Sequence, residues 1–287
     1  MKVLVTGHLG FVGSETVRLF EGMGIVAIPF DIMEGRDIRD KAQLEAVVDL
    51  ERPDRILHLA AIARFSDADR DIKLAFETNV LGTKNVAEVA GKFKIPLVYA
   101  STGSVYMPIS ITPPITEDFP IKGNSVYGCT KAMGEKYVES AGVPWITLRY
   151  AHLYGKEKRH HGLIGGFCER IKRGLAPTLY GGKQSNDFTY IKDVAEANAL
   201  AVSAPWDKWY NAYNVGTGEE LTAEHAGRII CDVTGYKGEI EIKEGRTVDP
   251  ERFVYDMSKS ERMLGFKPKY TFQSGLKEMF SDYDPQA

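Results

Sequence analysis

Cysteine is scarce and scattered in this chain. Cys129, Cys168 and Cys231 lie far apart, with no CxxC pair and no histidine at a spacing that suggests zinc. That excludes a disulfide framework and a metal clip, and the thiols are read as reduced. No apolar run approaches the length of a membrane span. Basic excess is missing too: the formal net charge is -3 at pH 7, so nucleic acid or an anionic membrane has no electrostatic support as a partner. A small anionic ligand needs only one local Arg or Lys and stays open. Repeats and low-complexity tracts are absent, and no charged leader precedes the first apolar run. The expectation is a cytoplasmic protein, without metal, whose 287 residues bury one large core or a core with a smaller lobe.

What is present is organised around the first turn. The apolar run Val3-Leu4-Val5 leads into Thr6-Gly7-His8-Leu9-Gly10-Phe11-Val12-Gly13, and a helical pattern follows from Ser14 to Met23. A strand that turns sharply into a helix presents unpaired backbone N–H groups and the positive end of the helix dipole, which suits a phosphate. Gly7, Gly10 and Gly13 keep that approach open. The first gap is two residues rather than one, an imperfect match to the commoner dinucleotide fingerprint. The context completes it. A second apolar run, Ile25 to Ile28, is followed by Asp31, 18 residues after Gly13, where an acid hydrogen-bonds a ribose 2′-hydroxyl and repels a 2′-phosphate.

Further along, strand-like and helical patterns alternate. Lys41 to Leu50 reads as helix, Arg55 to Leu59 as strand, Ile72 to Phe93 as helix and Leu97 to Ala100 as strand; Val126 to Ser140 (helix) and Trp145 to Leu148 (strand) continue the series. Such alternation builds a parallel sheet with helices on both faces. Pro29 is tolerable at a strand terminus. Met107 to Asn124 breaks the rhythm with four prolines, and so long a loop in a compact domain is usually functional. After Tyr154 the pattern loosens, with helices expected near Ile164 to Arg173, Val194 to Ala204 and Ala223 to Val233 and short strands near Tyr213 to Val215 and Ile240 to Lys243.

Oxidising an alcohol with a nicotinamide requires a base for the hydroxyl proton while hydride leaves the same carbon. A tyrosine serves if its pKa falls, as a nearby ammonium and a cationic nicotinamide would cause. Tyr127 and Lys131 are four apart on one helical face. Tyr154 with Lys158 and Tyr255 with Lys259 share that spacing, but only the first pair follows the long loop and a strand ending in Ser101-Thr102.

Thr6 to Gly13, His58-Leu59-Ala60-Ala61, Asn79-Val80-Leu81-Gly82-Thr83, Ser101 to Tyr106 and Tyr127 to Lys131 resemble the extended short-chain dehydrogenase/reductase family, nearest to its NAD-dependent epimerase/dehydratase group acting on nucleotide sugars. The likeness runs on through Leu148-Arg149-Tyr150, Tyr154-Gly155, Asp187-Phe188, Asp193-Val194-Ala195 and Leu264 to Pro268. It implies an α/β fold: a Rossmann-type doubly wound parallel sheet with a smaller C-terminal α/β substrate lobe. Residues 1–155 would form the dinucleotide-binding domain, with 186–215 returning to it, and 156–185 with 216–287 the lobe.

The resemblance also implies roles. Tyr127 is the acid/base, Lys131 holds the nicotinamide ribose and lowers the tyrosine pKa, and Thr102 hydrogen-bonds the reacting sugar oxygen. NAD would lie against Gly7, Gly10, Phe11, Val12, Gly13 and Asp31. Asp37 and Ile38 would pack beside adenine, with Leu59, Ala60, Ala61 and Asn79 along the cofactor. His58 belongs to that strand end and not to the chemistry.

Departures bear on the substrate. Dehydratase relatives place Asp and Glu directly after the threonine, where this chain has Gly103 and Ser104, so dehydration is not expected. Asn186 stands where epimerases often have a diphosphate-binding Arg, and His152 where they have a sugar-nucleotide Asn; Arg246 matches their other phosphate arginine. His160-His161, among Lys156, Lys158 and Arg159, is expected to be a solvated basic turn. The helices Ile72 to Phe93 and Val126 to Ser140 resemble the pair through which relatives form homodimers, though covering the sheet explains their apolar faces equally well. The leading expectation is an NAD-dependent nucleotide-sugar epimerase acting at C4. The alternatives are a keto-sugar reductase or sugar dehydrogenase, and a non-catalytic dinucleotide sensor.

Overall fold

Consecutive apolar residues mark a strand covered on both faces, and β1 (Lys2–Thr6) is one: Val3 and Val5 join one core cluster while Leu4 joins another. The same division runs through β3 (Arg55–His58), where Ile56 and Leu57 face opposite clusters, and β4 (Leu97–Thr102), where Leu97 and Tyr99 oppose Val98 and Ala100. The computed structural model describes residues 1–106, 114–123, 125–156, 162–245 and 252–281. Arg246, Lys158, Arg159, His160 and His161 therefore lie outside the described residues, as do Met107 to Pro113 and Asn124.

The central sheet has six strands in the order β2-β1-β3-β4-β5-β10, all parallel, with β2 at Val26–Phe30, β5 at Trp145–Tyr150 and β10 at Asn211–Val215. Its helices are α1 (Phe11–Gly22) and α8 (Ile191–Val202) on one face, and α2 (Lys41–Glu51), α5 (Thr83–Phe93) and α6 (Val126–Glu139) on the other. Chain order reverses between β1 and β3, so the crevice outside their carboxyl ends is where a doubly wound sheet takes its ligand. Pro29 sits inside β2, paired with Val5. The position is tolerated because β2 is an edge strand, whose outer side needs no ladder donor.

Two elements differ from the sequence reading. The expected helix from Ile72 to Phe93 is continuous but not uniform: after the short α3 (Phe65–Arg70), α4 (Ile72–Phe76) widens into a π-helical turn at Glu77–Gly82 and runs on as α5. The wide turn accommodates Asn79, fully buried, whose side-chain amide bonds Ile62 and Thr130 instead of solvent. Only part of 186–215 returns to the sheet. β10 joins its edge and α8 packs on α1, whereas β8 (Ser185–Asn186) pairs with β11 (Leu221–Thr222) and β9 (Phe188–Tyr190) with β6 (His152–Tyr154). Both pairs are too short to show periodicity in the sequence. β7 (Thr178–Tyr180) pairs with β12 (Glu241–Lys243), and α7 (Gly162–Lys172), α9 (Ala223–Thr234), α10 (Ser258–Leu264) and α11 (Phe272–Met279) complete the chain.

Candidate active site

The glycine turn is closed by backbone. Gly7 has φ +73°, and a Cβ there would lie 2.8 Å from Cα of Ala60; at Gly13 it would lie 2.1 Å from the carbonyl oxygen of Gly7. At each position the hydrogen of glycine is the only substituent that fits. α1 then begins at Phe11 without a capping side chain or an acid in its first turn, which leaves its dipole unneutralised toward the crevice. Leu59, Ala60 and Ala61, half-buried, form the opposite wall after β3.

Asp31 follows β2 directly. Its Oδ2 accepts from the Leu9 N–H and its Oδ1 from the Met33 N–H, both at 3.0 Å, so the acid ties the second strand's end to the glycine turn. Arg36 is turned away, donating to the Pro29 carbonyl at 2.5 Å. Asp37 is gripped by Arg39, whose hydrogen bonds hold its carboxyl below the usual range. Ile38 is buried beneath Gly82, where a Cβ would lie 2.7 Å from Cδ1 of Ile38.

α6 starts where it does because Ser125 caps it, accepting from the Gly128 N–H at 3.0 Å. Tyr127 thus lies in the first turn and Lys131 one turn on. Tyr127 stands beside Thr102 at the end of β4, and its ring meets Phe65 edge-on with centroids 5.4 Å apart. Thr102 Oγ1 also accepts from the Ser104 N–H at 3.2 Å. Lys131 is buried, with Nζ 4.1 Å above the Tyr99 ring centre. Among the described residues its ammonium makes no hydrogen bond to a protein group, and a buried cation in that condition calls for a polar ligand.

The pKa pattern departs from the sequence expectation. Burial pushes the Tyr127 phenol up to about 12 against the hydrogen bond with Thr102, and pushes Lys131 down to about 7 against the charge of Glu135. The protein alone does not lower the phenol, because desolvation outweighs its neighbours; the lowering has to come from charge brought to the site.

The rival tyrosines sit elsewhere. Tyr154 is buried against Tyr190 and Phe272, with its hydroxyl 3.3 Å from the Phe272 carbonyl. Tyr255 is equally buried and donates toward the Tyr150 carbonyl at 3.4 Å, while Lys259 stacks over Tyr213. Both are core side chains.

Toward the later pieces, Gly103 is packed tightly: a Cβ would lie 2.3 Å from Cζ of Phe253 and 2.7 Å from the Tyr255 hydroxyl. His152 is exposed on β6, its backbone N–H donating to the Asp187 carbonyl at 3.0 Å and its ring edge-on to Phe188. Asn186, half-buried, lies on β8. Asp187 is fully buried and accepts from Thr217 and Gly218 N–H groups at 2.7 and 2.9 Å. Burial raises its carboxyl despite those bonds.

Sequence reasoning missed a buried brace behind Lys131. Glu135 takes two bonds from Arg149, at 3.0 and 2.8 Å, and one from Ser101 at 2.5 Å, and Arg149 reaches on to Tyr106 and the Glu117 carbonyl. It pins α6 and part of the Pro-rich loop to β4 and β5. Its signal was one more acid four residues past Lys131, which alone says nothing of burial.

A family model described as "NAD dependent epimerase/dehydratase family" matches residues 3–216. The chain is similar to the solved UDP-glucose 4-epimerase of Thermus thermophilus in complex with NAD: 32% identity, 99% of this chain and 100% of that one covered, TM-score 0.85. It is similar as well to the UDP-glucose 4-epimerase of Thermotoga maritima solved with UDP-glucose, at 29% identity, 98% and 99% coverage and TM-score 0.90. The dTDP-glucose 4,6-dehydratase of Salmonella typhimurium is 28% identical over 99% of this chain and 92% of its own length.

Proposed function

Taking as premise that the chain belongs to the NAD dependent epimerase/dehydratase family, we propose that it is an NAD-dependent nucleotide-sugar epimerase that inverts C4 through a transient keto sugar. The observation that carries this is Gly103. With Phe253 and Tyr255 against it, the Asp that dehydratases place directly after the threonine has no room, which leaves oxidation and reduction at one carbon.

Gly7, Gly10, Phe11, Val12 and Gly13 would take the pyrophosphate at the start of α1, Asp31 the adenosine ribose, and Asp37 with Ile38 the adenine side. Leu59, Ala60 and Ala61 would line the cofactor, and Asn79 would act through Ile62 and Thr130, its amide partners. Lys131 would hold the nicotinamide ribose, supplying the polar ligand its ammonium calls for. Bound NAD supplies the hydride acceptor and donor for C4 and the positive charge that favours an ionised phenol. Tyr127 takes the proton of the sugar hydroxyl and later returns it, and Thr102 holds that oxygen in line. Gly103, Ser104, His152, Asn186 and Arg246 belong to the sugar-nucleotide end, where Arg246 is the candidate diphosphate grip.

We assign 1–155 with β10 and α8 to cofactor binding and 156–185 with 216–287 to the substrate lobe. We also infer a homodimer through α4, α5 and α6: Ile72, Phe76, Leu81 and Met133, all on this stretch, are 40% or more exposed. A cytoplasmic setting is supported by three free thiols. No described helix is long and apolar enough to cross a membrane.

The test incubates purified protein with UDP-glucose, and then with dTDP- and GDP-sugars, without added cofactor, following C4 configuration by NMR. Inversion without net NADH supports the epimerase. Asn186 in place of an arginine favours a second reading, a dehydrogenase that releases its product. Stoichiometric NADH from added NAD with no C4 isomer would put that reading first, and NAD binding with no turnover would favour the sensor.

A further inference from the structure

We propose that His58 is a positioning residue for this reaction, the centre of a buried series of hydrogen bonds and one ring contact that ties the glycine turn to the backbone of Lys131. The inference rests on the assignment of Lys131 and Tyr127 to the chemistry. Its members, Thr6, His58, Thr83, Tyr99 and Lys131, are all at least 98% buried and come from β1, β3, α5, β4 and α6.

The direction follows from donor counting. Thr6 Oγ1 lies 3.2 Å from the Leu59 nitrogen and 3.3 Å from the Ala60 nitrogen. The Leu59 N–H is shared with the Thr6 carbonyl, 3.1 Å away, and backbone N–H groups only donate, so among the described residues His58 Nδ1, at 2.7 Å, is the acceptor within reach of the Thr6 hydroxyl proton. Nδ1 is therefore the acceptor, and the ring proton sits on Nε2, which donates to Thr83 Oγ1 at 3.0 Å. Beyond Thr83 the His58 ring itself meets the Tyr99 ring, with centroids 5.5 Å apart and planes tilted by 34°, and the Tyr99 hydroxyl reaches the Lys131 carbonyl at 3.4 Å. That last contact is built for: a Cβ on Gly134 would lie 2.3 Å from the Tyr99 hydroxyl, so a glycine clears its path to α6.

Only a neutral imidazole offers an acceptor and a donor on opposite edges of a rigid ring, and the site keeps it neutral. Burial, and then the Lys131 charge, push His58 down to about 3. The reversed tautomer would leave the Thr6 hydroxyl proton without that acceptor. One end of the chain thus holds the residue before Gly7, and the other sets the Tyr99 ring under the Lys131 ammonium.

The first test reads the tautomer by 15N NMR of histidine-labelled full-length protein: a protonated Nε2 and bare Nδ1 are expected from pH 5 to 8, and a protonated Nδ1 overturns the proposal. The second splits the chain. His58→Asn keeps an acceptor toward Thr6 and loses the donor to Thr83, so kcat should fall by ~10- to 100-fold, the scale of a misplaced group, with NAD affinity nearly unchanged. His58→Gln keeps the donor and loses the acceptor, and should weaken NAD binding more than kcat. Equal effects of the two variants, or losses of stability alone, overturn it. If either fails to fold, Tyr99→Phe cuts the far end while keeping the ring; a wild-type kcat in that variant also overturns it. A wrong catalytic assignment shows separately, as turnover surviving Tyr127→Phe with the tautomer unchanged.

Discussion

The proposed cofactor end and the proposed sugar end of this molecule use the same device to different effect. At the first, Asp31 clamps the glycine turn through Leu9, caps the next turn at Met33 and keeps 6% of its surface exposed; at the second, Asp187 clamps Thr217 and Gly218 and keeps none. A carboxylate that holds backbone at a ligand's edge has two duties, and one sealed in the core has only the first. On the proposed assignment, cofactor recognition would therefore sit in residues whose identity the fold also needs. Substrate recognition would be left to residues such as His152 and Asn186, which the fold does not dictate.

The largest expected effect breaks that comparison at the chemistry itself. Tyr127→Phe should lower turnover by roughly 10²- to 10⁴-fold and leave NAD binding, read by calorimetry, nearly intact. Tyr154→Phe and Tyr255→Phe, core side chains, should cost about 1 kcal/mol of stability in a denaturant titration and little activity. Should either control fall as far while Tyr127→Phe does not, the pair is wrongly chosen. Next in size is the brace: Glu135→Ala leaves Arg149 buried without its partner, a loss of about 3–5 kcal/mol that urea unfolding would record.

Asp31→Ala should be milder, because its repulsion of a 2′-phosphate and its backbone clamp are separate. The preference for NAD over NADP should narrow on the order of 10-fold, or ~1.4 kcal/mol, measured as the ratio of two dissociation constants. Tighter NADPH binding by the unaltered protein would sink the premise, with Arg36 released from Pro29 as the physical cause.

The smallest effect has an unusual sign. Lys131 titrates near 7 in the folded protein and near 10.5 unfolded, so between those values the unfolded chain binds the extra proton and stability rises with pH. Lys131→Met should abolish that rise and lift the melting temperature of cofactor-free protein at pH 7 by about 2–4 °C, the scale of one kcal/mol in a large domain, while ending turnover. Glu220 at the sugar end behaves oppositely. Its pairing with Arg252 and Ser185 holds it at about 2, so its contribution is present above the ordinary value of 4.5 and is lost as pH falls toward 2. The pair is exposed, so that loss should be slight. An unchanged melting temperature in Lys131→Met would show that the ammonium is not strained.

Much of the cofactor end was legible because its signals are local. Apolar runs at Val3 and Ile25, the spacing of Gly7, Gly10 and Gly13, and an acid just past the second strand are each contained in a few residues and follow from strand and helix periods. The sugar end was less legible: β6, β8, β9 and β11 have two or three residues each, too few to show a period, and Arg246 was reachable only through family likeness. The π-helical turn around Asn79 left no pattern, because its cause is a partner on another helix.

By itself, then, the amino-acid order determined most of the succession of strands and helices, the glycine turn and the acid placed just past β2, since each depends on neighbours along the chain. Only the tertiary structure decided which of three equally spaced Tyr–Lys pairs faces a threonine, that Phe253 closes the space above Gly103, and that His58 lies between Thr6 and Thr83. Those outcomes depend on atoms that folding brings together from positions 25 to 150 residues apart. Burial supplies the reason they matter: away from water, each polar group must find its partner within the protein.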